Sequence, residues 1–524
     1  MVYTKKHPAL LLIGVVFLLI GLLTDFSFLD GMIKFVSGKK YVGEMIGMGY
    51  TFGIIGVLVG IWHLVGKHEE GNFDYYMSTV SGALFILLLA MSIRWYIAPL
   101  VAVLSKSIGP VMGAKYLHQV LGLNYVVLGI IAGILVVNVF KIPEWAKNGV
   151  RLSRLGLKTG VILLGALYSL AELQQLGKLS VVMVGVFVLG SVGLVLLFGR
   201  IRKVSNSMTG VLSAGMGVCG VSATVAAAPV VKAKSVEIAY TIGTILLWGV
   251  GCMFLFPVIG NILNLGHVQF GAWAGTGILN SAQVAGAALA YQPDGIETLK
   301  VAEIFNITRV LFLPIIVLWL AVWFIKREGD GTSTNSNQQL NVGRVVFEKF
   351  PVFVLGFILM FALSSTGVFA PANHYKGKYF DSNIKASKML KDKQIATLTS
   401  EANKIQIADR KAALASLIKN KKITTIENDA VIRGIINANI LSKASNKILK
   451  GAHKAVRHTA KKIKSFRQWI TLLFAFGLTG LGMQITIASI KQAGGQPLVI
   501  GGIVGTIKAV LSLVVILLFV HETI

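Results

Sequence analysis

Residues Gly210 to Lys234 read GVLSAGMGVCGVSATVAAAPVVKAK. The stretch lies in an apolar part of the chain, yet Gly210, Gly215, Gly217 and Gly220 fall within eleven residues, joined by Ser213, Cys219, Ser222 and Thr224 and followed by Pro229. A lipid-facing helix would read as leucines and valines. Glycine, with no side chain, and proline, with no N–H, loosen the i to i−4 hydrogen-bond ladder. Backbone groups freed at membrane depth are tolerated where they are buried in protein or line a wet cavity. A broken helix near the bilayer midplane is how many secondary transporters hold their cargo. Small residues also let two helices touch, so the stretch alone leaves packing and a binding site equally open.

Working outward, 524 residues at 55% hydrophobic with a mean hydropathy of +0.73 indicate an all-α polytopic membrane protein. A spanning helix needs roughly 20 apolar residues, and the chain supplies such runs about a dozen times. The predicted spans are 8–24, 45–65, 78–104, 122–140, 157–173, 180–199, 209–230, 237–260, 268–291, 301–325, 346–366, 469–489 and 496–520, or 11 to 13 helices depending on the breaks. Arg94 interrupts the third, which reads as a helix plus an interfacial piece. Lys5, Lys6 and His7 precede the first run, and Thr24-Asp25-Phe26-Ser27-Phe28 is a poor cleavage site. That pattern predicts a retained first helix that starts in the cytoplasm. Basic residues in short loops mark the inner face: Lys141, Lys147, Arg151 and Arg154; Arg200, Arg202 and Lys203; and Lys326, Arg327, Arg344 and Lys349. Cys219 and Cys252 show no metal or disulfide spacing, so no cofactor and no metal is expected.

Residues 1–70 form two helices outside a transporter core at 78–366, which resumes at 469–520. Between them, 371–468 holds 22 Lys and Arg against 6 Asp and Glu, a net +16 within the chain's total of +28. Ile395, Leu398, Ala402 and Ile405 recur at helical spacing there, predicting a basic helical insert. Span parity places it outside the cytoplasm, since long loops translocate largely regardless of charge. Over half of the excess charge therefore lies in the insert, and no nucleic-acid partner is expected. Residues 376–467 suit contact with anionic lipid or an acidic protein, although a solvated charged face explains them as well. A homo-oligomer is compatible with this reading.

Polar groups inside a bilayer are functional candidates by default. FGAWAGTGILNSAQVAGAA (Phe270 to Ala288) repeats the glycine-loosened pattern and offers Thr276, Asn280, Ser281 and Gln283. Asn280 and Gln283 share a helix face, as do Asn306 and Arg309. A third segment, Gly477 to Thr486, offers Thr479, Gln484 and Thr486 and reads as a third broken span. Arg309 suits a planar oxyanion because its fork donates several N–H bonds and stays charged; snorkelling, or pairing with Glu303 or Glu237, is the alternative. Lys508, in the last span, is the candidate coupling group. His63, near a span end, has no assigned role. LGALYSLAELQQLG (Leu164 to Gly177) and LGMQITIASIKQAG (Leu481 to Gly494) share Leu, Gly, Ala, Gln and Gly at matching positions, which suits an internal repeat of the inverted type.

GVCGVSATVAAAPVVKAK, FGAWAG…AQV and TRVLFLP together resemble the proposed sulfate exporter family, the YeiH-like bacterial inner-membrane proteins, over roughly 120–325, 346–366 and 469–520. The resemblance implies an inverted-repeat secondary transporter of the cell membrane that exports sulfate or sulfite. The chain departs from the family's pattern at Leu279-Asn280, where relatives show His-Glu, at Asn306 in place of Lys, and at Leu167 in place of Arg. An ionisable group that would carry a coupling proton is thereby missing.

The expectation is a secondary transporter, not an enzyme, that moves a small inorganic or organic anion across the cell membrane. Gly217, Cys219, Gly220, Ser222 and Thr224 form one half-site. Thr276, Asn280 and Gln283 form the other, with Arg309 as the counter-charge. A cation/proton antiporter on the same fold would need a deep carboxylate, and Glu237 and Glu303 lie near span ends. An enzyme using Cys219 would need a nearby base. A scaffold protein would act through the basic insert.

Overall fold

Uninterrupted apolar runs and scarce proline make this chain helical, and glycine or polar clusters set where the helices stop. The structure, a computed structural model, describes residues 3–36, 40–66, 71–112, 115–168, 170–293, 295–328, 352–369, 378–405, 407–438, 441–491 and 494–520. The chain divides into two units, one of Met1–Leu164, Glu172–Ile358 and Trp469–Ile524, the other of Gly165–Ala171 and Leu359–Gln468. The basic residues Arg344 and Lys349 of the third predicted inner loop lie outside the described residues.

The first unit begins with α1 (Ala9–Asp25), α2 (Asp30–Val36) and α3 (Val42–Val65). Helices α1 and α3 touch along glycines: a Cβ on Gly14 would stand 2.6 Å from the carbonyl carbon of Gly56, the close backbone approach that small residues permit. Next come α4 (Asn72–Ser92), α5 (Ala98–Ile108), α6 (Leu117–Val120), α7 (Tyr125–Leu135), α8 (Lys147–Leu164) and α9 (Leu170–Ile201). Two interrupted pairs follow on either side of a long helix: α10 (Asn206–Gly217) and α11 (Val221–Ala227), α12 (Ser235–Ile262), then α13 (His267–Gly277) and α14 (Ser281–Tyr291). The remaining helices of this part are α15 (Glu297–Leu311), α16 (Leu313–Glu328) and α17 (Val352–Ser365), which runs on into the second unit.

The second unit holds α18 (Asp392–Glu401), α19 (Ala408–Asn420), α20 (Ile426–Ala438) and α21 (Lys443–Ala455), and strand Lys378–Phe380 paired antiparallel with Arg457–Thr459. Its helices close over a core of its own that includes Leu398, Leu414, Leu417, Ile432, Ile435, Leu449 and Val456. Asp429 is buried among them, accepting from Arg457 Nε at 2.8 Å and facing His453 Nδ1 at 2.6 Å. The chain re-enters the first unit along α22 (Lys461–Gly482) and ends with α23 (Ile487–Lys491) and α24 (Gly495–Phe519).

Six helices among the described residues are long and apolar enough to cross a membrane: Val42–Val65, Asn72–Ile108, Gly177–Ile201, Ser235–Ile262, Glu297–Arg327 and Gly495–Phe519. Ala9–Asp25, Tyr125–Phe140 and Val352–Ser365 are shorter apolar helices. The protein is all-α and polytopic.

Three local expectations change. Arg94 does not end the third span: a π-helical turn at Ile93–Ile97 joins α4 to α5, and the guanidinium pairs with Glu44 at 3.2 Å and stacks on Tyr41 and Tyr125. The predicted span 157–173 starts ten residues early, as α8, and stops at Leu164. Lys147, Arg151 and Arg154 thus lie on an amphipathic helix instead of a loop. The break in the Gly477–Thr486 segment falls at its end: α22 runs through Thr479 and Gly480 to Gly482, and the chain leaves the helix over Met483–Thr486 before it resumes at Ile487. The two segments matched above behave alike at the backbone. Helices α8 and α22 end at Leu164 and Gly482, within one residue on the alignment, and α9 and α23 start at the aligned Leu170 and Ile487.

Candidate functional site

Two helix breaks lie at the heart of the first unit. Helix α10 stops at Gly217, where the N–H of Val218 bonds Ala214 O at 3.0 Å and that of Gly220 bonds Gly215 O at 3.2 Å. Gly220 has φ +82°, a backbone state costly for any residue with a Cβ, and from it α11 restarts. Helix α13 stops at Gly277. Asn280 then caps α14, its Oδ1 accepting from Ala282 N at 3.1 Å. That is the usual role of an asparagine before a helix.

The breaks meet. A Cβ on Gly220 would stand 3.3 Å from Cα and Cβ of Asn280 and 3.1 Å from Ile245 of α12. The interrupted pairs therefore cross at their interruptions, and two helix C-termini and two N-termini converge there. Each of the two C-termini is capped by a buried cation from another helix. Lys508 Nζ of α24 donates to Met216 O at 3.1 Å and Gly217 O at 3.3 Å, at the end of α10. Arg309 Nη1 of α15 donates to Ile278 O, just past the end of α13. Carbonyls at a helix end lack intrahelical donors and carry roughly half a negative charge, so a buried cation satisfies both needs.

Arg309 is held further by Nη2 on Asn306 Oδ1 at 3.0 Å, and Asn306 Nδ2 donates to Glu303 Oε2 at 3.0 Å. All three are buried, at 0%, 4% and 1% exposure. Nearly every residue of α15 from Thr298 to Val310 is buried.

Several polar atoms beside the crossing have no partner among the described residues. Gln283 is fully buried with both amide atoms unpaired, as are Thr276 Oγ1, Ser281 Oγ and Arg309 Nε. A Cβ on Gly249 of α12 would stand 2.8 Å from Gln283 Cδ, so that glycine makes the room the amide occupies. Buried amides and hydroxyls left unpaired are costly and mark a place where water or a ligand completes the bonding.

The proposed residues distribute as follows. Gly217, Cys219, Gly220, Thr276, Asn280, Gln283, Arg309 and Lys508 gather at or next to the crossing. Thr224 is buried beside it, but its hydroxyl returns to Gly220 O at 3.2 Å. Ser222 lies on the outer face of α11 with Val225, and both are exposed. Lys508 and Arg309 are engaged with backbone carbonyls, so each is a cap first. Gln484 belongs to another contact, where its Nε2 donates to Ser153 Oγ at 2.9 Å and Val150 O at 3.2 Å and its Oε1 accepts from Arg154 at 2.6 Å. Thr479 packs against Gly129 of α7. Glu237 caps the start of α12, accepting from Ser205 Oγ at 2.6 Å, Ser207 Oγ at 2.9 Å and Lys234 N at 2.8 Å.

Glu303 is the residue that the sequence reading set aside. Its signal is the i, i+3, i+6 run with Asn306 and Arg309, which a span starting at 301 places at the helix edge. The helix begins at Glu297, which puts Glu303 nearly two turns inside.

The model of the family described as Conserved hypothetical protein 698 matches residues 96–391. A UPF0324 membrane protein of Nitratidesulfovibrio vulgaris is 33% identical over 460 residues, covering 87% of this chain and 98% of its own. A second one from that organism is 37% identical over 325 residues, 60% of this chain and 89% of its own. A UPF0324 membrane protein of Geobacter sulfurreducens is 31% identical over 236 residues, 44% and 66% of the two chains. No solved structure matches.

Proposed function

This chain belongs to the Conserved hypothetical protein 698 family of membrane proteins, and we propose that it is a secondary transporter moving a small anion across the cell membrane by alternating access. The observation that carries the reading is the crossing of two interrupted helices with their breaks in contact, Gly220 against Asn280. Irregular backbone at membrane depth is expensive, and transporters use it to bind cargo between moving halves. The two helix C-termini and two N-termini at the crossing offset each other. Lys508 and Arg309 then stand against Glu303 alone among the described carboxylates bonded into this network. That balance favours an anion. Gln283, Thr276 and Ser281 supply unpaired donors for it. Sulfate and sulfite are the first probes, as the resemblance of the motifs suggests.

The test is counterflow of labelled sulfate and sulfite in proteoliposomes. Uptake driven by trapped unlabelled anion, and lost in Arg309→Ala and Gln283→Ala, supports the assignment. No exchange of either anion removes the sulfur-oxyanion substrate; no exchange across a panel of organic anions removes the anion carrier. Cation/proton antiport is the second reading, favoured by the depth of Glu303. Proton efflux driven by sodium or potassium in the same vesicles would select it.

A further inference from the structure

We propose that Glu303 is the proton-binding group that couples anion movement to the pH gradient, with proton and anion moving in the same direction. This rests on the transporter reading above and goes beyond it by assigning a coupling ion and its residue.

Glu303 is 1% exposed on a helix buried on nearly every side, and its bonded partner is the neutral amide of Asn306. The same amide accepts from Arg309, whose other terminal nitrogen holds Ile278 O at the break. Three residues at successive i, i+3 steps thus join a carboxyl to the end of α13. Intramembrane carboxyls that do not pair directly with a cation are expensive and are recurrent parts of proton relays.

The surrounding charges set the sense of coupling. On α15 itself, Lys300 is buried one turn before Glu303, Glu297 takes a bond from Gln292 Nε2 at 2.7 Å at the helix start, and Arg309 lies beyond Asn306. From α13, His267 approaches Thr298 Oγ1 at 3.2 Å, near that same start. Helix α14 carries no charged residue, and Lys326, Arg327 and Glu328 lie at the far end of α16. Lys508 of α24 is bonded to the carbonyls that end α10. When Glu303 is ionised, its charge offsets one of the two cations at the crossing. When its carboxylate takes a proton, forming one O–H bond, the crossing gains one positive charge and binds an anion more tightly. Linkage is reciprocal, so the bound anion also holds the proton. Release of both on the other side returns the carboxylate.

The experiment uses the full chain in proteoliposomes with labelled sulfate and sulfite. Counterflow is run at equal pH, and accumulation is run against a gradient of about two pH units, which carries about 100-fold per coupled proton. Wild type should do both. Glu303→Gln, a neutral isostere, should retain counterflow and lose gradient-driven accumulation. A variant that still accumulates like wild type overturns the proposal. So does loss of both activities in a variant whose melting temperature is unchanged, because Glu303 would then belong to anion binding. Infrared difference spectra of the purified protein between pH 5 and pH 9 provide a readout independent of transport. A protonated-carboxyl band that titrates in wild type and is missing from Glu303→Gln is expected. Identical spectra overturn the assignment, even if wild type carries no anion and the transport reading has failed separately.

Discussion

Gly220 and Asn280 meet where the two helices are interrupted, and a Cβ on Gly220 would stand 3.3 Å from Cα and Cβ of Asn280, tighter than ordinary van der Waals contact. Gly220 also sits at φ +82°. Both conditions fail together in Gly220→Ala. A non-glycine residue held in such a region costs of order 1–3 kcal/mol, and here the added Cβ also presses on Asn280. The variant should melt several degrees lower in detergent and lose exchange. An unchanged melting curve would mean that the breaks do not meet.

Lys508 gives two hydrogen bonds to the carbonyls that end α10. Lys508→Met removes both donors and keeps the bulk. An unsatisfied buried acceptor costs about 1–3 kcal/mol, so a drop in melting temperature is expected. Lys508→Gln retains one donor group and should lie between the two. If Met and Gln are equally harmless, the lysine is not a cap.

Arg309 serves two acceptors on different elements at once, Ile278 O and Asn306 Oδ1. An ammonium delivers a point charge in place of a fork. Arg309→Lys should therefore keep the protein folded and reach only one of the two acceptors. Sulfate exchange should fall more than stability does, whereas Arg309→Ala loses both. Full exchange in the lysine variant would show that the bidentate geometry is not needed.

Much of this arrangement is legible in the sequence. Gly217, Gly220 and Gly277 stand at the ends of the interrupted helices, whereas Gly215, Gly271 and Gly275 lie inside helices and let neighbouring side chains and backbone approach closely. Asn280 before Ser281 read as polar and proved to be a cap. What composition could not say is which partner each cation would find. Lys508 and Met216 are far apart in sequence, and only the fold brings the ammonium to that carbonyl. The third polar segment holds both features: Thr479 and Gly480 lie inside α22 and let it approach Gly129, Gly133 and Ser153, while the interruption follows Gly482 and ends at Ile487. The edge placement of Glu303 failed on a helix boundary, which hydropathy marks poorly when the first turns carry Glu297 and Lys300.

The basic insert should be acid-labile. Burial opposes ionisation of Asp429, but hydrogen bonding and attraction from His453 and Arg457 outweigh it and hold the carboxyl below its usual range. Glu401 is drawn from 4.5 down to about 2 by the hydroxyl and N–H of Ser442. A carboxyl with a depressed folded pKa stabilises above its unfolded pKa and loses that contribution as pH falls through the folded value. Helicity of the intact protein should therefore drop in part between about pH 4.5 and pH 2. Asp429→Asn breaks a buried ion pair, a loss of about 3–5 kcal/mol, and should open the lysine-rich insert to trypsin at neutral pH. Equal resistance of variant and wild type would dismiss the role of this cluster.

Gln283 offers the sharpest separation of binding from stability. Its side chain is fully buried, both amide atoms lack a partner among the described residues, and Gly249 leaves the room it fills. A buried amide with no partner destabilises by about 1–3 kcal/mol. Gln283→Met, close in volume, removes that burden, so the melting temperature should hold or rise. If the amide bonds the transported anion or its water, exchange should fall in the same variant. A protein that becomes more stable and less active would locate the binding site at Gln283. A variant that is less stable would mean that the amide already has a structural partner, such as ordered water, in the resting protein. One that is more stable and fully active would move the site away from α14.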